Sequence, residues 1–196
     1  MQRLAIASLV DRLERLAPND ITIANVTSIV GDGALDEATL RPFVGTRDDH
    51  YARRQVHRGK WFDVLVLTWA PGQYTPVHNH AGNLGWVRLV RGQIREETFK
   101  LVPGSSLPDA DLAKDPGTRG GSVGLERTGD AVIATSGAVA TADRTRAIHR
   151  LGNPVEARDP TVTLHVYSLP HDCCLAFDLE RRTCARRDLR CDPPLV

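Results

Sequence analysis

The chain has 196 residues, of which 41% are hydrophobic and 25% charged, a composition typical of one globular domain rather than two. Lys and Arg total 25 against 24 Asp and Glu, so a net charge of +1 gives no global attraction for nucleic acid or an anionic membrane. No run of about 18 apolar residues is present, and we expect neither a signal peptide nor a membrane span. A chain of this size needs no disulfides, so its four cysteines favour a reducing, cytoplasmic location.

Residues 1–45 predict a helical segment at the start of the chain. Apolar residues recur with a nearly helical period from Leu4 to Leu16, and Pro18 ends the pattern. A second short helix is expected from Asp36, whose side chain can cap it, to Phe43.

Residues 46–180 predict a β-rich fold. Runs such as WFDVLVLTWA, LGWVRLVRG and TVTLHVYS are separated by clusters of Gly, Pro, Asn and Asp, a pattern typical of an all-β sandwich or barrel. The stretch 103–124 is rich in Gly and Pro and is expected to be a long surface loop between two β blocks. Residues 181–196 are expected to be a partly ordered tail, so the whole chain, 1–196, forms a single domain.

Two histidines stand two residues apart in the run from Gly72 to His80. In an extended strand His78 and His80 would point to the same face, and paired imidazoles suit iron, zinc, copper or nickel. The spacing alone also fits a surface strand. An apolar strand ending in Trp69 and a Pro71-Gly72 turn lead into the pair, and this context favours a metal site.

The surrounding spacing resembles the two motifs of the cupin superfamily. Gly72 with the two histidines, followed by Gly92, matches the first motif, and His149-Arg-Leu-Gly-Asn matches the end of the second. Gly85 stands where cupins usually carry a glutamate ligand. The resemblance implies an all-β, cupin-type β-barrel (jelly roll) with short N-terminal helices. It also implies a metal site of three histidines, His78, His80 and His149, with no carboxylate ligand.

A hydroxyl, an imidazole and a phenol follow one another along a later strand. Alternation places Thr163, His165 and Tyr167 on one face, with Leu164 and Val166 on the other. His165 could then orient the Tyr167 hydroxyl through a hydrogen-bond relay. Taken alone, these residues also fit a barrel strand whose polar face is satisfied internally.

Over roughly residues 40–180 the sequence resembles the cysteine dioxygenases. The similarity rests on YARR at Tyr51, the W-x-P-G turn, H-x-H, HRLGN, the strand TLHVYS and the run DCCLAFD. The resemblance implies an Fe(II) cofactor on the three histidines and conversion of L-cysteine and O2 to cysteine sulfinate.

The same resemblance implies roles for individual side chains. Arg53 would pair with the substrate carboxylate, since a guanidinium fork matches a planar carboxylate. Tyr51 and Trp69 would flank the substrate, and Cys174 would lie beside the pocket. The Tyr167 hydroxyl would point at the iron, supported by His165 and Thr163.

Two positions depart from the family pattern. Mammalian members join the active-site tyrosine to a cysteine five residues after the second histidine, but this chain has Gly85 there, so no thioether can form, as in bacterial members. The usual Ser-Pro after the tyrosine is Ser168-Leu169, so we expect an altered turn.

Two alternatives to cysteine dioxygenase stay open. One is a dioxygenase of another small thiol acid such as 3-mercaptopropionate, although relatives with that preference tend to carry Gln where Arg53 stands. The other is a metal-binding cupin that does not oxidise its ligand. The expected partners are a small thiol and O2, with no nucleic acid or membrane, and the chain is expected to be a monomer or weak homo-oligomer. Cys184 and Cys191 are expected to be thiols outside any zinc site.

Overall fold

A computed structural model of the chain describes residues 3–107, 122–143, 148–170 and 172–195. Its helices are α1 (Ile6–Glu14), a 3₁₀ turn (Pro18–Asp20), α2 (Ile23–Gly31) and a 3₁₀ helix (Glu37–Phe43). Its strands are β1 (Ala52–Arg58), β2 (Phe62–Trp69), β3 (Val77–His78), β4 (Gly85–Arg91), β5 (Ile94–Leu101), β6 (Leu125–Ile133), β7 (Val139–Ala142), β8 (Ile148–Gly152), β9 (Thr161–Ser168), β10 (Cys173–Asp178) and β11 (Thr183–Asp188). Within these ranges no helix has the length and apolar character that crossing a bilayer would require.

The strands form two antiparallel sheets. One has the order β1-β2-β9-β4-β7 and the other β11-β10-β3-β8-β5-β6. Side chains from both sheets share one core cluster, in which Leu65, Leu67 and Val87 of the first sheet pack with Ile94 and Leu151 of the second. The predicted all-β architecture with short N-terminal helices is therefore confirmed.

The helices cover the outer face of the first sheet. Leu9 and Leu13 of α1 and Val26 of α2 pack in one cluster with Val64 of β2 and Leu164 of β9. Because alternate residues of a strand point to opposite faces, the neighbours of these residues point into the space between the sheets. Every residue of β2 and β9 is consequently buried.

The N-terminal segment contains one α-helix more than expected. α2 was not predicted, although Thr22 caps it by accepting a hydrogen bond from the Asn25 amide. Asp36 caps the following helix, as predicted, by accepting from the Ala38 amide. That helix is 3₁₀, and it contains Pro42, which lacks the N–H of a regular α-helical ladder.

Two further expectations concern the connections. The ends of the predicted 103–124 loop are held together by a hydrogen bond from the Val102 amide to the Gly124 carbonyl, and residues 108–121 lie outside the described residues. Residues 181–196 were expected to be a partly ordered tail, and within this segment residues 183–188 form β11 along the edge of β10. Tertiary pairing and burial of Cys184 stabilise this strand despite its charged sequence.

A buried arginine links α2 to the sheet. The Arg88 guanidinium, on β4, donates to the carbonyls of Val30 at 2.6 Å, Gly33 at 2.5 Å and Asp32 at 3.4 Å. These carbonyls lie at the C-terminal end of α2, where unpaired carbonyls and the helix dipole favour a cation.

Replacing Arg88 with Met should lower the free energy of unfolding by about 2–3 kcal/mol, because buried carbonyls lose charged donors. Arg91→Met is the matched control: Arg91 is exposed, reaches Glu37 only at 3.5 Å, and should change stability by less than about 0.5 kcal/mol. Urea unfolding measures both values, and equal effects would refute this role for Arg88.

Candidate metal centre

Three buried histidines meet between the strands of the second sheet. His78 ends β3, His80 follows two residues later, and His149 lies on β8, directly opposite His78 in the ladder. Their candidate ligand atoms all lie within 4.8 Å of one another. The structure thus brings together the three residues that the sequence singled out.

Hydrogen bonds orient two of these rings. The His149 Nδ1–H donates to Glu96 Oε1 at 2.7 Å, and the His78 Nδ1–H donates to the Pro76 carbonyl at 3.0 Å. Because the Nδ1 atoms are the donors, each Nε2 retains its lone pair for a metal. His80 Nε2 and His149 Nε2 lie 3.0 Å apart. Two nitrogens bound at about 2.1 Å and at right angles would be separated by about 3 Å, so the donor set fits one metal ion.

Gly85 lies against the metal centre. A Cβ at this position would be 2.8 Å from His80 Cε1 and 3.4 Å from Tyr167 Cε1. A side chain at this position would therefore collide with the His80 ring. Gly85 also has no side chain that could be joined to Tyr167.

A hydrogen-bonded row on β2 and β9 leads to a cavity beside the histidines, which His78, His165 and Tyr167 line. Trp69 Nε1–H donates to Thr163 Oγ1 at 2.8 Å, Thr163 Oγ1 lies 2.9 Å from His165 Nε2, and His165 Nδ1 lies 3.2 Å from the Tyr167 hydroxyl. The Tyr167 ring meets the His80 ring edge to face at 5.5 Å. Burial raises the pKa of the Tyr167 phenol, which therefore stays protonated at neutral pH.

Arg53 and Tyr51 complete the predicted set. Arg53 is buried and lines the same cavity as His78 and Tyr167, while Tyr51 stacks on Trp69 with ring centroids 4.4 Å apart. Cys174 also lines this cavity, and burial raises the pKa of its thiol to about 12. The thiol is therefore neutral and a weak nucleophile.

The sequence model of the family described as Cysteine dioxygenase type I matches residues 2–180. The chain belongs to this family. A cysteine dioxygenase type 1 of Danio rerio is 26% identical over 180 residues, which cover 91% of this chain and 81% of the relative. The Homo sapiens protein of the same name is 23% identical over 175 residues, 88% of this chain and 78% of the relative. Among solved structures, the protein TT1209 from Thermus thermophilus aligns with a TM-score of 0.44 and 18% identity over 66% of this chain and 93% of that one.

Membership of the cysteine dioxygenase family confirms the resemblance drawn from the sequence, and the chain is a dioxygenase of the oxidoreductase class. The turn after Tyr167, which the sequence predicted to be altered, is described by the structure. Leu169 adopts a left-handed backbone with φ of +69°, and all peptide bonds of the described residues are trans.

This cysteine dioxygenase family member has site residues that the sequence did not reveal. Glu96 was one of two adjacent glutamates in a β run, and only the pairing of β5 with β8 brings it to His149. Leu189 and Arg187 line the cavity from the C-terminal segment, and Cys191 Sγ accepts from Arg53 Nη1 at 2.8 Å. No motif marks these positions, because each depends on which distant strand lies alongside.

Glu96→Gln should weaken metal binding about 10- to 100-fold, because the amide no longer fixes the His149 ring with a charged acceptor. His149→Ala, which removes a nitrogen donor, should abolish binding, whereas Glu126→Gln, on the exposed rim of β6, should leave it unchanged. Competition with a chelator measures the affinity. Wild-type affinity in the Glu96 variant would show that its contact with His149 does not matter.

Proposed function

We propose that this protein is an Fe(II)-dependent dioxygenase that converts L-cysteine and O2 to cysteine sulfinate. Both atoms of O2 are added to sulfur and the thiol loses its proton, so no further reductant is needed. The observation that carries the proposal is one cavity lined by His78 of the three-histidine group, by Arg53 and by Tyr167.

The donor set is suited to the proposed metal. Three neutral imidazoles leave the full charge of a divalent ion, and imidazole is a common ligand of iron. Fe(II) bound there would supply sites for the substrate thiolate and for O2, and would lower the pKa of the thiol. The cavity gains no negative charge from a carboxylate ligand, since Gly85 replaces the usual glutamate.

Arg53 is proposed to bind the substrate carboxylate. Both of its backbone polar groups bond to Asp192, since its amide donates to Asp192 Oδ2 at 2.9 Å and its carbonyl accepts from the Asp192 amide at 2.7 Å. A guanidinium on a fixed strand can present parallel N–H donors to a planar carboxylate. It therefore orients the substrate with its sulfur toward the histidines.

Tyr167 is proposed to act as a hydrogen-bond donor beside the reacting atoms. The Trp69 N–H can only donate, so the Thr163 hydroxyl oxygen accepts this hydrogen bond. The Thr163 O–H then donates a hydrogen bond to His165 Nε2. His165 Nδ1–H then donates to the Tyr167 oxygen, and the phenol retains its hydrogen for donation. Through these hydrogen bonds His165 and Thr163 position this tyrosine.

We also propose a cytoplasmic location and a monomeric or weakly associating state. No disulfide joins the four cysteines, all of which are described, and this fits a reducing compartment. The large exposed hydrophobic residues in the described ranges are scattered along the chain rather than consecutive: Val132, Val155, Leu169, Leu179 and Leu195.

Arg53→Ala should raise the KM for cysteine about 10- to 100-fold with near-normal iron content, since a charged carboxylate contact contributes roughly 1.5–3 kcal/mol. Cys191→Ala, which removes the sulfur partner and keeps the guanidinium, is the matched control and should have a much smaller effect. Oxygen uptake on cysteine, 3-mercaptopropionate and cysteamine measures the preference. Equal turnover of cysteamine, which lacks a carboxylate, would remove this role from Arg53, and faster turnover of 3-mercaptopropionate would favour the thiol-acid alternative.

Tyr167→Phe should keep iron and cysteine binding but lose about tenfold or more in turnover or in sulfinate formed per O2, because only the hydroxyl is removed. His165→Ala should cause a milder form of the same defect, and Tyr74→Phe, which does not line the cavity, should behave as wild type. Intact mass should show no loss of two hydrogens, since no thioether can form at Gly85. An unchanged rate and stoichiometry in Tyr167→Phe would show that this strand face is structural.

A further inference from the structure

A second arginine lines the cavity from β11, beyond residues 2–180 that match the family. In the β10–β11 ladder Arg187 lies directly opposite Cys174, whose side chain also lines the cavity. Residues opposite each other in an antiparallel pair point to the same face, so Arg187 lies on the cavity side of the sheet. Its neighbour Arg186 points to the other face.

The charged side chains that line the cavity are of one sign. Among the described residues that line it there is no Asp or Glu, whereas Arg53 lies inside and Arg187 lies exposed at the mouth. Arg186 is paired with Asp188 at 2.9 Å, but the Arg187 guanidinium makes no hydrogen bond or ion pair with any described residue. Its positive charge opposes the rise in the pKa of Cys174 caused by burial, so its field reaches the interior.

The mouth itself is also positive. Its outer part is lined by three arginines, Arg53, Arg187 and Arg190, and among the described lining residues by one acidic residue, Asp188. A cleft lined by one sign of charge concentrates ligands of the opposite sign and raises their association rate.

We propose that Arg187 is a second substrate-recognition residue, which draws carboxylate-bearing thiols into the cavity and favours them over cationic thiols. The inference rests on the proposed function and adds to it a charged residue at the mouth that selects among thiol substrates. Arg53 acts from a buried position, whereas Arg187 acts through an exposed charge that salt screens. Dependence on ionic strength therefore distinguishes the two arginines.

The test compares Arg187→Glu with Arg186→Glu, which makes the same change in net charge on the other face of β11. In iron-loaded protein at low ionic strength, Arg187→Glu should raise the KM for cysteine about five- to tenfold, and more for 3-mercaptopropionate, with kcat within about twofold. The increase should shrink to about twofold in about 0.5 M salt, and the KM for cysteamine should not rise. Arg186→Glu should stay within about twofold of wild type throughout.

A binding measurement without O2 tests the role of Arg187 independently of the proposed reaction. Anaerobic calorimetry should show the same loss of cysteine affinity in Arg187→Glu and not in Arg186→Glu. If wild-type protein binds cysteine but consumes no O2, the proposed function fails while this binding comparison still decides the role of Arg187. Equal affinities in the two variants, or a loss that is unchanged by salt and by substrate charge, would overturn the inference.

Discussion

Burial of both faces of β2 and β9 is the constraint on which the rest of the structure depends. The helices cover the outer face, so the inner face must carry the chemistry and still satisfy every polar atom without bulk water. Trp69, Thr163, His165 and Tyr167 meet this condition by bonding to one another in a row. A row of this kind fixes the direction of each side chain, which is why the tyrosine can face the metal centre without a covalent link.

The buried polar atoms of the metal centre, on the second sheet, must also find hydrogen-bond partners within the protein. The register of β3 against β8 places His78 beside His149, and Glu96 and the Pro76 carbonyl hold the ring nitrogens that face away from the centre. Small Gly85 leaves room for the His80 ring. The two sheets thus contribute different parts of the site: the second brings the three histidines together, and the first carries Tyr167 and Arg53.

The C-terminal segment closes the outer side of this arrangement. Asp192 pairs with both backbone groups of Arg53, and Arg54 Nε donates to the Pro193 carbonyl at 3.1 Å. The strand that carries Arg53 is therefore held by residues beyond the family match. The same C-terminal segment carries Arg187, so the arginines that line the cavity come from β1 and from β11.

Local sequence pattern determined several features of this protein's fold and site. The H-x-H spacing, the alternation of Thr163, His165 and Tyr167 with apolar residues, and the cap at Asp36 could be predicted because each depends on neighbours in the chain. The sequence also predicted that His149 would join the first pair, through its resemblance to a known motif. The tertiary structure decided what depends on strand register and on pairing between distant segments. β1 and β11 are rich in arginine and carry no apolar alternation, so their strands exist because β2 and β10 offer them ladder partners. Glu96 and Arg187 reach the site for the same reason, since a sheet register joins residues that no local spacing connects.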